Sequence, residues 1–269
     1  RQMETKVSGI VPCGTTGESP TLSESEHLQV IRTCIDGANG KSLVIAGTGA
    51  NSTTEALSLT QAADDAGADA FLLVAPYYNK PSQEGLFAHF SALAESTEKP
   101  IVLYSIPSRC GIEISTEVVC RLREKYPHVC ALKEAGGRSS KVSETLISID
   151  ENFVVLSGDD GLTLPFMACG AKGVVSVASN LIPELVTELV NLALVGDYER
   201  ARKIHLSNYQ LFTDLFCEPN PVPVKTLMQM KGLIESSEVR SPLIAASSAN
   251  HNLLKELGSK LSIPERIVS

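Results

Sequence analysis

The sequence has no apolar run of membrane-spanning length and no signal-peptide pattern at its start, which points away from helical membrane and secreted proteins. It has no cluster of lysine and arginine, and its net charge is −8, so a nucleic-acid surface is not indicated. Its seven cysteines are scattered, odd in number and without any C-x-x-C pair; they read as reduced, mostly buried thiols of a cytoplasmic protein. The histidines, His27, His89, His128, His205 and His251, form no H-x-x-x-H, and no metal site is expected. Two glycine-rich stretches fall short of nucleotide motifs. Gly47-Thr48-Gly49-Ala50-Asn51-Ser52 has no glycine where the third of a dinucleotide fingerprint stands. Gly14-Thr15-Thr16-Gly17-Glu18-Ser19 lacks the Gly-Lys of a P-loop. No linker or low-complexity segment interrupts the chain.

What is present is regular. The chain has 269 residues, 43% apolar and 20% charged, enough for a large core. Short apolar runs at 8–13, 42–46, 70–75, 100–104, 129–134, 153–156 and 173–177 read as strands. Helical patterns separate them, two opened by capping-box spacings, Ser23-x-x-Glu26 and Ser52-x-x-Glu55, and a later one by Pro183. Strands alternating with helices imply right-handed βαβ units and a parallel sheet. Seven strands are one short of a (β/α)₈ TIM barrel, and 3–7 resembles the end of a helix. The expectation is therefore an α/β barrel over 1–196 whose first strand is missing from these residues. The alternative is an open doubly wound sheet, which lacks its fingerprint here. Beyond 196 the strand signal stops; helices at about 198–217, 223–231 and 248–258 form a C-terminal helical region, 197–269, around the join Glu218-Pro219-Asn220-Pro221.

In a barrel the loops after the strands make the active face. Thr15-Thr16, Tyr77-Tyr78, Tyr104, Arg109, Lys133 and Asp159-Asp160 all follow strand ends, whereas the opposite turns are ordinary. The run 129–134 organises this set. It is a buried strand ending in Lys133 before Gly136-Gly137, and alternation puts Val129, Ala131 and Lys133 on one face. Desolvation at such a place lowers an ammonium's pKa, and a neutral amine forms Schiff bases with carbonyls. Each member also has a plain reading. Lys133 can leave its strand into solvent, the Gly14–Ser19 stretch can be an ordinary βα turn instead of a cradle for a small carboxylate, and Tyr77 and Tyr78 can be packing aromatics. Tyr104 can carry protons or only hydrogen-bond at the rim, Arg109 can clamp a carboxylate or be a surface charge, and the two aspartates suit backbone N–H groups better than magnesium.

As a set these motifs closely resemble the dihydrodipicolinate synthase family, of the pyruvate-dependent class I aldolase superfamily that includes N-acetylneuraminate lyase. The resemblance rests on Gly14–Ser19 and Ala75-Pro76-Tyr77-Tyr78-Asn79-Lys80-Pro81. It extends through Tyr104-x-x-Pro107-Ser108-Arg109-x-Gly111, Lys133-Glu134-Ala135, Ser157-Gly158-Asp159-Asp160 and the Glu218–Pro221 join. It implies a lyase of lysine (diaminopimelate) biosynthesis, joining pyruvate to L-aspartate semialdehyde without a metal or organic cofactor. It implies that Lys133 forms the imine, that Thr15 and Thr16 backbone N–H groups hold the pyruvate carboxylate, and that Arg109 binds the semialdehyde carboxylate. Tyr104, Thr16 and Tyr78 would relay protons, with Tyr78 reaching into a neighbouring subunit of a homotetramer, and the backbone of Gly173 and Val175 would line the pocket. An L-lysine effector would sit at Ser19, Pro20, Glu24, His27, Asn51, Glu55 and Tyr77; Glu24 departs from the histidine frequent there in lysine-sensitive relatives. A sialate or keto-sugar-acid lyase is the nearest alternative, from which Arg109 separates this chain.

Overall fold

A computed structural model describes residues 1–261. Six parallel strands pair in chain order: β1 (Gly9–Ile10), β2 (Leu43–Gly47), β3 (Ala70–Val74), β4 (Ile101–Ser105), β5 (Val129–Glu134) and β6 (Val154–Ser157). Helices α1 (Glu24–Ala38), α2 (Thr53–Ala66), α3 (Gln83–Ala94), the short α4 (Pro107–Cys110), α5 (Thr116–Lys125), α6 (Ser139–Leu146), α7 (Thr163–Ala168) and α8 (Pro183–Leu194) follow the strands. The C-terminal region adds α9 (Tyr198–Asp214), α10 (Val222–Met230) and α11 (Ser248–Lys260); residues 262–269, the end of the expected region, lie outside the described residues.

Serine side chains start four of the first five helices. Ser23 and Glu26 form a complete capping box, and Ser52, Ser82 and Ser115 each accept from the N–H three residues on. The strands then bury both faces. Phe71, Leu73, Leu103 and Leu132 pack outward among the helices, while Leu72, Val102, Tyr104 and Ala131 form a separate inner cluster. An inner cluster enclosed by one parallel sheet is the curled α/β arrangement of a TIM-barrel-like fold.

Two expected strands are shorter than their apolar runs. The run 8–13 pairs only through Gly9 and Ile10, and 173–177 makes a single bridge, Val174 to Ser157. The cause of the second is Asp160. Its carboxylate accepts the N–H groups of Val177 and Ala178, both at 2.9 Å, which removes them from any ladder and turns the chain into a 3₁₀ turn at Ala178–Asn180. The faces of β5 also differ from simple alternation. The register jumps from Ile101–Val129 to Val102–Ala131, so Cys130 is an extra residue. That bulge sends Val129 to the outer cluster while Ala131 stays inside.

A second core joins Val177, Leu181 and Val186 to Leu211, Leu215, Leu227 and Leu254. It draws on both sides of residue 196, so the helical region is packed onto the last βα unit.

Candidate active site at the ends of the strands

Lys133 and Tyr104 are register partners at the ends of β5 and β4. Both are buried, and the Lys133 Nζ stands 3.8 Å from the centre of the Tyr104 ring. Burial pushes the Lys133 ammonium down to about 7; the nearby Asp160 charge opposes this and Arg109 adds to it. At neutral pH a substantial share of this amine is therefore unprotonated and nucleophilic. Space beside it is kept by Gly158. A Cβ there would stand 2.7 Å from the Ala135 Cβ and 3.2 Å from the Lys133 Cε.

Asp160 is buried and accepts from the Ser176 hydroxyl as well as from the two N–H groups of the following turn. Its neighbour Asp159 accepts from the Gly161 N–H at 2.7 Å. Both carboxylates thus hold backbone, as their loop suggested, and among the described residues no group of acidic, histidine or cysteine side chains is arranged for a metal ion.

Burial pushes the Tyr104 hydroxyl up to about 12, with the Arg109 charge and the nearby Thr15 side chain opposing. Thr16, the residue expected beside Tyr104, is placed differently. Its hydroxyl accepts from the Asn220 Nδ2 at 2.9 Å. The two threonines belong to a compact turn in which Gly17 and Ser19 donate to the Gly14 carbonyl and Glu18 to that of Thr15. Their own N–H groups donate to no acceptor among the described residues, which leaves two adjacent donors for an anion. The turn sits tightly on β2, because Gly47 passes so close to Cys13 that a Cβ would meet its carbonyl oxygen at 2.4 Å.

Arg109 lies on α4, exposed, with no carboxylate paired to it among the described residues, while its charge acts on both Tyr104 and Lys133. Tyr78 is not drawn into the site of its own chain: it is 89% exposed, on a backbone with φ of 74°. Gly173 and Val175 bracket Ser157, the Gly173 carbonyl accepting from its N–H and the Val175 N–H donating to its carbonyl, both at 2.8 Å. The Val175 carbonyl is left without a donor among the described residues.

Of the seven residues of the expected effector site, several are gathered near the α1 and α2 N-termini. The Glu55 charge reaches both His27 and Tyr77, and the Asn51 backbone acts on the Tyr77 hydroxyl. Burial lowers the His27 imidazolium and raises the Tyr77 phenol. His27 is already spent in part, its Nε2 lying 2.9 Å from the Gly47 carbonyl. Ser19 and Pro20 form a 3₁₀ turn leading to α1, and Glu24 stands exposed on the first turn of that helix. Glu24 and His27 also line a cavity of about 240 Å³ with Ser58 and Leu59, and this cavity does not include Asn51, Glu55 or Tyr77.

Two residues were not singled out by the sequence. Glu134 points away from Lys133 into the helical layer, fully buried; its Oε1 accepts from the Gly136 N–H at 2.6 Å and its Oε2 has no partner. Burial pushes it up to about 7, Glu113 adds to this, and Lys141 and Arg138 oppose it. The strand alternation that placed Lys133 inside was the available signal. Asn220 was marked only as part of the Glu218–Pro221 motif, with no role assigned to it.

The sequence profile of the Dihydrodipicolinate synthetase family matches residues 1–260. The 4-hydroxy-tetrahydrodipicolinate synthase of Sulfurihydrogenibium sp. (strain YO3AOP1) is 50% identical over 261 residues, spanning 97% of this chain and 89% of that protein. The solved 4-hydroxy-tetrahydrodipicolinate synthase from Methylacidiphilum fumariolicum SolV is 52% identical with a TM-score of 0.94, over 96% of this chain and 86% of that one. DHDPS from Cyanidioschyzon merolae, solved with lysine bound, is 38% identical with a TM-score of 0.92, over 95% and 87%.

Proposed function

The chain belongs to the dihydrodipicolinate synthetase family, and from that premise we propose that it condenses pyruvate with L-aspartate semialdehyde, a lyase reaction of class I aldolase type. The observation that carries this is the buried Lys133 amine, held down to about 7 and facing Tyr104 at the ends of parallel strands.

The Lys133 amine adds to the pyruvate carbonyl and water leaves, giving an imine. The imine draws electrons from C3, whose proton departs to give an enamine, so the protein needs no other electron sink. The free Thr15 and Thr16 N–H groups hold the pyruvate carboxylate. The enamine carbon attacks the semialdehyde aldehyde, and the forming alkoxide takes a proton from Tyr104. The adduct closes as its amino group displaces Lys133 from C2, yielding 4-hydroxy-tetrahydrodipicolinate. The Thr15 side chain acts on the Tyr104 hydroxyl and the Thr16 hydroxyl is engaged by Asn220, so the relay is drawn as Tyr104–Thr15, with Thr16 on the carboxylate side. The exposed Tyr78 completes it from a neighbouring subunit of a homotetramer, and Gly173 and Val175 border the pocket through Ser157. The unpaired Arg109 guanidinium binds the semialdehyde carboxylate, the feature that favours this substrate over a sugar acid.

The reaction belongs to lysine biosynthesis in the cytoplasm, and L-lysine is the effector at Ser19, Pro20, Glu24, His27, Asn51, Glu55 and Tyr77. The reach of Glu55 to His27 and Tyr77 supports that placement, and the DHDPS of Cyanidioschyzon merolae, solved with lysine bound, supports lysine as a ligand. Residues 1–196 act as the barrel and 197–269 as its helical extension.

Turnover of semialdehyde that depends on pyruvate tests the reading. Arg109→Ala is expected to raise the semialdehyde KM about 10-fold or more, well beyond any change for pyruvate, the scale of a charged hydrogen bond. Cleavage of sialic or keto-sugar acids without semialdehyde turnover would move the chain to another branch of the superfamily.

A further inference from the structure

Asn220 lies between two prolines at the start of α10, far along the chain from the substrate-binding turn, yet its carboxamide is buried and donates to the Thr16 hydroxyl 204 residues away. Its Oδ1 has no partner among the described residues, so this bond is the side chain's only engagement. Pro219 and Pro221 fix the φ angle on either side of it, and the Pro219 carbonyl accepts from the Val222 N–H at 2.9 Å. Glu218, one residue earlier, is held by the Ser247 N–H and the Asn250 side chain, both at 2.9 Å. The carboxamide is thus presented from a stiff, anchored support.

The same region grips the turn a second time. Lys225 on α10 pairs with the Glu18 Oε2 at 2.9 Å, and the Arg240 N–H donates to the Glu18 Oε1 at 2.7 Å. Glu18 itself has a φ of 56°, a left-handed backbone that a non-glycine residue keeps only when its surroundings hold it. The turn that carries the free Thr15 and Thr16 N–H groups is therefore fixed from the helical region at two points.

A hydroxyl has one proton and two lone pairs. With the Asn220 Nδ2 donating into one lone pair, the Thr16 proton is left to be given away. A hydroxyl that accepts a hydrogen bond is also polarised toward donating one. An anion held by the Thr15 and Thr16 N–H groups would be its acceptor.

We infer that Asn220 is a positioning residue, which sets the Thr16 hydroxyl as a third donor to the carboxylate of the keto-acid substrate. The inference rests on the reading of that turn as the pyruvate carboxylate site. It makes the helical region part of the substrate site and not only its support.

The test is the pyruvate concentration that gives half-maximal borohydride trapping in the full-length chain, alongside steady-state KM values. Asn220→Ala raises the half-trapping concentration about 10-fold and leaves the semialdehyde KM within about twofold. Asn220→Asp, nearly isosteric and offering only acceptors, draws the Thr16 proton to itself and weakens pyruvate at least as much. In a Thr16→Val background Asn220→Ala adds nothing further, because the partner through which it acts is gone. Unchanged half-trapping in the Asp variant, equal weakening of both substrates, or independent losses in the double variant would each overturn the inference and leave Asn220 as a brace for α10. A wild-type chain that pyruvate and borohydride fail to modify removes the pyruvate reading, and this inference with it.

Discussion

Lys133 and Tyr104 face one another across neighbouring parallel strands, with the lysine nitrogen 3.8 Å from the centre of the tyrosine ring. The ring covers the amine and helps keep water from it, so the burial that lowers the lysine and the burial that raises the tyrosine have one origin. An amine losing its proton near neutrality beside a phenol that keeps its own is a nucleophile next to a proton donor.

The first prediction follows from the lysine. Imine formation needs the neutral amine, so its rate rises as pH passes through about 7 and levels off above. Arg109→Ala removes a positive charge that lowers Lys133 and moves this limb to higher pH; Asp160→Asn removes a negative charge that raises it and moves the limb to lower pH. Rates of borohydride trapping across pH check both directions. A rate indifferent to pH in this range would contradict them.

The second concerns the relay. Tyr104→Phe keeps the ring over Lys133 but loses the proton, and should reduce kcat by about 10²–10⁴-fold. Thr15→Val should lower kcat in the same direction, since its side chain is the one that acts on the Tyr104 hydroxyl. Thr16→Val should be seen mainly in pyruvate affinity. The reverse pattern, with kcat lost at Thr16 and kept at Thr15, would restore the relay that the family resemblance first implied.

The third concerns stability. The folded chain raises Glu134 to about 7 from 4.5, so between these values the fold holds a proton that the unfolded chain releases. The stability contributed by the neutral carboxyl is full below 4.5 and is lost as pH rises through about 7. Glu134→Gln keeps the shape without the charge. It should flatten the decline of stability between about pH 5 and 7 and raise Tm at about pH 8 by a few degrees. Thermal melts at a series of pH values read this directly; a Tm lowered equally at every pH would point to a lost hydrogen bond at the Gly136 N–H instead.

Much of this architecture was written locally. The serine caps, the apolar runs and the polar strand ends are patterns of a few residues, and they located β2 to β6 and the position of Lys133. What was not legible depended on distant partners. Nothing in 173–177 says that Asp160 will take the N–H groups of Val177 and Ala178 and end the pairing at Val174. The bulge at Cys130 is a property of the β4–β5 register, so alternation alone misplaced Val129. Thr15 and Thr16 are chemically identical neighbours in a turn, and only the structure distinguishes the one beside Tyr104 from the one held by Asn220.

The central claim is that Lys133 is the nucleophile, and the most direct measurement is covalent. The chain is incubated with pyruvate, reduced with borohydride, digested and mapped by mass spectrometry. The account predicts one stoichiometric adduct, on the peptide containing Lys133, absent without pyruvate and absent in Lys133→Ala. An adduct on another lysine, or undiminished trapping in Lys133→Ala, would contradict it.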